Sequence, residues 1–180
     1  MFKLTIDNEI ELVLLDFLHA QELFKLIIDN KAYLREWLSW VDTTNSLEAT
    51  KGFISSVKKK YSDNKGFEVA IFYKRNLSGI LGVLPVDWAN KKTSIGYWLA
   101  EPFQGKGIMT RSCKGILDYL FNNYGLNRIE INCATGNTKS RAIPERLGFV
   151  QEGIARDFEW LYDHYVDAVV YSMLKRDWNA

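Results

Sequence analysis

The segment 104–110, with the sequence Gln-Gly-Lys-Gly-Ile-Met-Thr, constrains this chain more than any other. It follows the apolar run 95–99 and opens an amphipathic pattern that continues to Tyr124, so it predicts a turn leading into a helix. The first amides of a helix have no partner within it, and the helix dipole adds partial positive charge there. Gly105 and Gly107 let a ligand approach the backbone closely and tolerate a positive φ. The segment therefore predicts either a cradle for a phosphate or pyrophosphate, or a glycine turn that only caps a helix.

Two common phosphate-binding motifs do not fit this segment. A dinucleotide fingerprint needs a third glycine at position 110, where this chain has Thr110. The loop of the phosphate-binding NTPases needs Ser or Thr directly after Gly-Lys, but Gly107 follows Lys106 here. Both nucleotide-binding classes are therefore excluded at this position.

The composition predicts one ordinary globular domain, residues 1–180. The chain is 47% hydrophobic and 25% charged, and its net charge of +1 indicates neither a nucleic-acid partner nor a membrane partner. The first residues lack the features of a signal peptide, and no apolar run is long enough to cross a bilayer. We expect a cytoplasmic protein.

Cysteine and histidine are too sparse to predict a metal site. Cys113 and Cys133 are isolated and fall on apolar faces, which favours buried thiols over a disulfide or a zinc site. The only histidines, His19 and His164, lie far apart and lack the spacing of a metal motif, so each is expected at the surface or at a helix cap.

The order of predicted elements indicates an α+β fold, a mixed and mainly antiparallel sheet with flanking helices and one βαβ unit. Strands are predicted at 9–15, 67–73, 80–86, 93–99, 128–133, 160–162 and 165–174. Helices are predicted at 20–28, 33–41, from a capping box at Asn45 to an end near 63–66, at 108–124 and at 137–147. The run 58–60 of three lysines is interpreted as a solvated helix face. Gly115 within the fourth helix is expected to be unfavourable unless close packing needs it.

Several separated motifs together resemble the GNAT acetyltransferases over nearly the whole chain. The turn resembles the family's Gln-x-x-Gly-x-(Gly/Ala) loop at Gln104 and Gly107 and departs from it at Met109, a flexible side chain that can point away. The steps 137–140 (Asn-Thr-Lys-Ser) and 146–149 (Arg-Leu-Gly-Phe) follow in the family's order. Gly-Tyr-Trp-Leu at 96–99 is similar to the subgroup that acetylates the N-terminal amine of ribosomal proteins.

This resemblance implies an acyl-CoA N-acyltransferase fold with acetyl-CoA as cosubstrate and no metal. It implies that the strand end at Trp98, Leu99 and Ala100 binds the pantetheine arm, and that one of its N–H groups polarises the thioester carbonyl. It also implies that Asn137 contacts the coenzyme. The pyrophosphate would be held by the backbone of Gln104, Gly105, Lys106, Gly107, Ile108, Met109 and Thr110.

The same resemblance supplies candidates for the proton transfers. Many family members use a tyrosine acid at the position that is Pro144 here, so Ser140, which matches the serine of the ribosomal subgroup, becomes the candidate acid. A serine is a weak acid and is expected to relay a proton through water. Glu159 matches the subgroup's base, and Glu68 is the second candidate.

The expected function is acetyl transfer to the N-terminal α-amine of a ribosomal protein. Two alternatives stay open: an acetyltransferase for a small amine such as a polyamine or antibiotic, and a non-catalytic coenzyme A-binding regulator, which the loss of the tyrosine acid at Pro144 keeps in play. The aromatic helix 33–41 serves the core, the acceptor site or both. Self-association into a homo-oligomer is expected by analogy with the family.

Overall fold

The computed structural model describes residues 2–178, and its centre is an eight-stranded sheet of order β1-β2-β3-β4-β5-β6-β8-β7. The strands are Lys3–Thr5 (β1), Ile10–Leu14 (β2), Phe67–Tyr73 (β3), Asn76–Val83 (β4), Lys92–Leu99 (β5), Arg128–Ala134 (β6), Val150–Leu161 (β7) and His164–Leu174 (β8). Neighbouring strands are antiparallel except β5 and β6, which are parallel. The mainly antiparallel sheet with one βαβ unit is confirmed.

Within residues 2–178, five α-helices flank the sheet: Ala20–Asp29 (α1), Lys31–Arg35 (α2), Leu47–Ser62 (α3), Ile108–Asn122 (α4) and Thr138–Arg146 (α5). On one face α1 and α3 pack through Leu23 and Ile54 against Ile80 of β4. On the other face α4 and α5 belong to the core that includes Ile116 and Ile131. The two faces of the sheet therefore carry separate cores, and each core carries one side of the site described below.

The hairpin made by β1 and β2 packs on the first turns of α4. A Cβ added at Gly115 would lie 2.2 Å from Cδ1 of Ile6, so the glycine is required by close packing despite its cost of about 1 kcal/mol in a helix. Arg111 of α4 forms ion pairs with Asp7 at 2.6 Å and with Glu9 at 3.2 Å. The N-terminal hairpin is thus fastened to the helix that follows the 104–110 turn.

Two strand predictions need correction. β4 was expected at 80–86 after a six-residue loop, but it starts at Asn76 because Lys74 and Arg75 alone make the turn, with φ of 49° and 68°. Neither residue is the glycine or asparagine that normally signals such a turn. β7 was expected at 160–162 but begins at Val150; its register shifts between Ala155 and Glu159, which hides the alternation of a strand.

Two predictions about α3 were also wrong. Its N-cap is Ser46 rather than Asn45, because the Ser46 hydroxyl accepts a hydrogen bond from the Ala49 amide at 3.1 Å. The three lysines 58–60 do not form one solvated face. Lys58 pairs with Asp16 and Lys60 with Glu68, which leaves Lys59 as the most exposed of the three.

The cysteines are buried as expected, and burial raises the pKa of both the Cys113 and Cys133 thiols. His19 is a cap residue, as expected, but a buried one, whose Nδ1 accepts a hydrogen bond from the Asp16 amide at 3.1 Å. His164 lies exposed at the start of β8. Within residues 2–178 no helix combines the length and the apolar character needed to cross a bilayer.

Candidate active site

The site begins where β5 and β6 separate. The parallel pairing covers only Lys92, Thr93 and Ser94, whereas β4 stays paired with β5 as far as Leu99. A wedge-shaped gap therefore opens between β5 and β6 toward their C-terminal ends. One edge of β5 is left without a neighbouring strand along this gap.

The antiparallel ladder decides which amides of β5 face the gap. The Ala100 amide donates to the Ser78 carbonyl at 2.8 Å, so this residue directs its N–H toward β4. Because successive residues of a strand direct their amides to opposite sides, Trp98 also faces β4, whereas Tyr97 and Leu99 point their N–H groups into the gap. Ala100 is fully buried. Of the three residues 98–100 predicted to bind the pantetheine arm, Leu99 is the one whose amide is available.

The turn before α4 has the conformation that its glycines allow. Gly105 and Gly107 have φ of 71° and 69°, a region that residues with a side chain adopt only under strain. The first helical hydrogen bond runs from the Arg111 amide to the Gly107 carbonyl at 3.1 Å. The amides of residues 105–110 make no hydrogen bond to any residue between 2 and 178. The turn therefore offers several free donors at a helix N-terminus, as an anion cradle requires.

The side chains around this turn leave its backbone open. The Lys106 ammonium folds back onto the Pro102 carbonyl at 2.7 Å, and residues 105–107 are exposed. Gln104 donates to the Tyr33 hydroxyl and accepts from Lys139 at 3.2 Å, which links the turn to α2 and α5. Met109 is buried in the core beneath the turn, in line with its flexible side chain.

A cleft of about 860 Å³ runs along this turn, and we name it the α4-side cleft. It is lined by the 104–111 segment, by Tyr97, Trp98 and Leu99 of β5, by Asn137 and part of α5, and by the aromatic segment 33–38. An extended coenzyme with a diphosphate fits this cleft, since free amides lie at its helix end and the Leu99 amide lies at the gap.

A second cavity of about 680 Å³ lies on the face of the sheet covered by α1 and α3, and we name it the α3-side cavity. Its wall is largely aliphatic and aromatic, with polar side chains placed singly around it. These are Thr43, Thr44, Thr50, Glu68, Asn132, Asn137, Ser140 and Glu159. A cavity of this kind suits an organic acceptor held by a few hydrogen bonds.

The two cavities meet at the gap between β5 and β6. The residues lining both are Trp37, Leu38, Tyr97, Trp98, Asn137 and Ser140. Ligands bound from opposite faces of the sheet would therefore approach one another beside these side chains.

Ser140 is held at this junction by contacts on both sides. Its amide donates to Oδ1 of Asn137 at 3.0 Å, so that Asn137 caps α5, and its hydroxyl lies 3.3 Å from Sγ of Cys133. In an ordinary helix the Ser140 carbonyl would accept from the amide of residue 144, but Pro144 has no N–H. The Tyr97 hydroxyl donates to this carbonyl instead, at 3.1 Å. The proline that displaces the expected tyrosine thus also explains why a tyrosine of β5 reaches α5.

The two candidate bases occupy different surroundings. Glu159 is exposed, and its Oε1 accepts from the Ser39 hydroxyl at 2.8 Å, so it lies at the mouth of the α3-side cavity. Glu68 is largely buried deeper in the same cavity and pairs with Lys60. Burial raises the pKa of Glu68 despite that nearby ammonium. The structure brings both carboxylates into one cavity, together with Ser140.

Sequence reasoning missed three contacts of this site, although it placed Trp37 in an aromatic helix that could serve the acceptor site. Tyr97 was predicted within a strand and the 96–99 motif, without its hydrogen bond to Ser140, although Pro144 signals a carbonyl in need of a donor. Trp37 lines both cavities and packs so closely on Gly136 that a Cβ there would lie 3.1 Å from its ring. Lys60 pairs with a residue eight positions away, on β3. No local pattern indicates either of the last two contacts.

The comparisons with known proteins agree with this geometry. Residues 10–150 match the family described as Acetyltransferase (GNAT) domain. The putative ribosomal N-acetyltransferase YdaF of Bacillus subtilis (strain 168) is 38% identical over 181 residues, covering 100% of this chain and 99% of that protein. RimL, a ribosomal L7/L12 alpha-N-protein acetyltransferase solved with coenzyme A, is similar with a TM-score of 0.93 and 28% identity, over 96% of this chain and 98% of that one.

A second solved structure has a different kind of title. The microcin C7 self immunity acetyltransferase MccE, in complex with acetyl-CoA and AMP, has a TM-score of 0.90 and 32% identity, covering 94% of each chain. Because the family match spans most of the sequence and a relative aligns along its whole length, the chain belongs to the GNAT acetyltransferase family and transfers acetyl from acetyl-CoA to an amine.

Proposed function

We propose that the acceptor is the N-terminal α-amine of a ribosomal protein. The observation that carries this proposal is the charge of the α3-side cavity: of its two carboxylates, Glu68 is already paired with Lys60, which leaves Glu159 free of a cationic partner among residues 2–178. One free carboxylate at the mouth suits one ammonium group, as at a peptide N-terminus. A polyamine would favour several unpaired carboxylates. The ribosomal relatives point to the same acceptor.

Coenzyme binding is assigned to the α4-side cleft. The free amides of residues 105–110 hold the diphosphate, with Gln104 fixed by Tyr33 and Lys139 beside them. Acetyl-CoA supplies the activated acetyl group and a thiol leaving group. The Leu99 amide, directed into the gap, donates to the thioester carbonyl, a contact worth about 3 kcal/mol where similar donors have been removed. Oδ1 of Asn137 caps α5, and its Nδ2 remains a donor for the coenzyme.

The base is assigned to Glu159 and the acid to Ser140. An amine is protonated near neutral pH, and Glu159 at the cavity mouth takes up its proton, directly or through water. Ser140 lies at the junction of the two cavities and passes a proton to the departing thiolate through its hydroxyl and water. Glu68 is the competing base, because burial raises its pKa toward the range of a base acting near neutrality.

Mass spectrometry of ribosomal proteins incubated with the enzyme and acetyl-CoA tests the acceptor. We expect one acetyl group on one N-terminus, absent from reactions without enzyme. Unmodified ribosomal proteins, together with rapid consumption of acetyl-CoA by a small amine, would overturn the proposal.

Two single variants separate the catalytic assignments. Glu159→Gln should lower kcat/KM by about 100-fold and remove the acidic limb of its pH profile, whereas Glu68→Gln should retain that limb. The reverse result would assign the base to Glu68. Ser140→Ala should lower kcat by about tenfold or more with little change in coenzyme A affinity, and full turnover in this variant would remove the acid assignment.

A small-amine acceptor is the second candidate, and the likeness to the microcin C7 self immunity acetyltransferase favours it. Coverage of 94% of each chain at 32% identity is comparable to the similarity to the ribosomal enzymes. A panel of small amines and N-terminal peptides distinguishes the two candidates, since a ribosomal enzyme should prefer a peptide N-terminus by at least about tenfold in kcat/KM. The non-catalytic alternative is no longer needed, because the family and its relatives are acetyltransferases.

A further inference from the structure

A row of four residues crosses the floor of the α3-side cavity from strand to strand. Glu68 pairs with Gly82, and Gly82 pairs with Gly96. Ser94 and Glu130 are the last parallel pair of β5 and β6, so Asn132 stands two residues further along β6, as Gly96 does along β5. The row therefore runs from Glu68 over two glycines to Asn132 on the far side of the gap.

The two glycines make this row a trough. A Cβ at Gly82 would lie 1.9 Å from Oε2 of Glu68, so the carboxylate occupies the space that a side chain would take. A Cβ at Gly96 would meet nothing within 4 Å, so the space above Gly96 is open. Since neighbouring strands lie about 4.8 Å apart, the trough has room for a small group between Glu68 and Asn132.

The side chain of Asn132 ends this trough with an unused hydrogen-bond acceptor. Its Oδ1 is buried and has no partner among residues 2–178, a state that it shares only with the Ser112 hydroxyl in that part of the chain. A buried polar atom without a partner carries the full desolvation penalty of that group, so it needs an explanation. Ser112 lies within α4 and lines neither cavity, whereas Asn132 lines the α3-side cavity beside Cys133 and Ser140.

We propose that Asn132 binds the attacking nitrogen of the acceptor, its Oδ1 accepting an N–H from the amine at the gap. An attacking amine directs its lone pair at the acetyl carbon, so its N–H bonds must find acceptors on the protein. A neutral amide suits this role, because a carboxylate at the same place would stabilise the ammonium form and oppose loss of its proton. Asn132 is thus a catalytic residue, in addition to the base and the acid. The inference rests on the acceptor side of the site proposed above and names the group that places the nitrogen.

The experiment compares Asn132→Leu, Asn132→Asp and the control Ser112→Ala, using the amine that gives the wild type its highest kcat/KM. Asn132→Leu removes a buried acceptor without a partner, so its Tm should be equal to or above that of the wild type, while kcat/KM for the acceptor falls by about tenfold or more. The dissociation constant for coenzyme A should stay the same. Ser112→Ala should leave kcat/KM unchanged, because that hydroxyl lines neither of the two cavities.

Asn132→Asp distinguishes the acceptor role from a structural one. The aspartate keeps the oxygen that accepts the N–H, so at high pH it should recover most of the activity that leucine loses. Because its charge stabilises the ammonium form, the acidic limb of the kcat/KM profile should move to higher pH. A structural asparagine would show no such displacement.

Two outcomes overturn the inference. The first is an Asn132→Leu variant with wild-type kcat/KM, and the second is an Asn132→Asp variant whose acidic limb stays at the pH of the wild type. If no ribosomal protein is acetylated but a small amine is, the ribosomal proposal fails and the variants are compared on that amine. The two failures are therefore distinguishable.

Discussion

The two cavities that meet at the β5–β6 gap are made from different parts of the polypeptide. The α4-side cleft offers main-chain amides from one contiguous turn, and two glycines of positive φ keep those amides exposed. The α3-side cavity offers side chains from several strands, from α3 and from the loop before it. Main-chain recognition therefore depends on one local conformation, whereas recognition in the α3-side cavity depends on register across the sheet. Substitutions in the α3-side cavity can therefore change acceptor specificity without changing coenzyme binding.

The largest effect on stability is expected from Lys60→Met, which tests the side-chain contacts of the α3-side cavity. The change leaves Glu68 buried without its cation, which should lower the free energy of unfolding by about 3–5 kcal/mol near neutral pH. Burial already raises the pKa of Glu68, and loss of Lys60 raises it further, because that ammonium lowers it. A carboxyl with a raised folded-state pKa contributes its stability below its unfolded pKa and loses it as pH rises through the folded pKa. The deficit of the variant should therefore shrink as pH falls from about 8 to about 5, as measured by urea denaturation.

Lys59→Met is the matched control, since the Lys59 side chain is 76% exposed and pairs with Asp63 at the surface. Its loss should be about 0.5 kcal/mol or less. Coenzyme A affinity should be unchanged in both folded variants. Equal losses in the two variants at every pH would show that the buried Lys60–Glu68 pair contributes no more stability than a surface pair.

The next largest effect is expected from Gly107→Val, which tests the main-chain amides of the α4-side cleft. Coenzyme A should bind about tenfold or more weakly, because a β-branched residue resists the left-handed conformation that exposes the amides. Isothermal titration with coenzyme A measures this change. Gly125→Val is the control, since Gly125 has a φ of 67° in open space beyond the other end of α4. Both variants should lose similar stability, and equal affinities would remove the turn as the diphosphate site.

The smallest effect on stability is expected at the junction of the two cavities. Tyr97→Phe leaves the Ser140 carbonyl without a donor and should cost about 1 kcal/mol of stability. In a Pro144→Ala background the same change should cost less, because the alanine amide can donate to that carbonyl within the helix. Thermal denaturation of the four proteins gives this coupling. Equal costs in both backgrounds would mean that Pro144 and Tyr97 are independent.

The same contrast explains which features could be predicted from the sequence. The 104–110 turn and the start of α4 at Ile108 are local features, and the structure places them as predicted. The βαβ unit could also be predicted, because an amphipathic helix joined two strand patterns. These features depend on residues that are neighbours in the sequence, so the sequence alone is enough to predict them.

The α3-side cavity could not be predicted, because its parts are joined only by sheet register. Nothing near Gly82 indicates that it makes room for Glu68, and nothing near Lys60 indicates its pairing with that carboxylate. β7 was missed for most of its length because its bulged register interrupts the alternation on which strand prediction rests. Resemblance identified Ser140 and Glu159 as candidates, but only the folded chain shows that they line the same cavity.

The attachment of the N-terminal hairpin to α4 has a practical consequence. Ile6 fills the space above Gly115, and Asp7 and Glu9 hold Arg111 one turn into the helix that follows the proposed diphosphate turn. The hairpin therefore supports that helix through Asp7, which lies 104 positions before Arg111 in the sequence. A purification tag fused ahead of β1, or deletion of residues 2–9, is expected to weaken coenzyme A binding without changing any residue of the proposed coenzyme site.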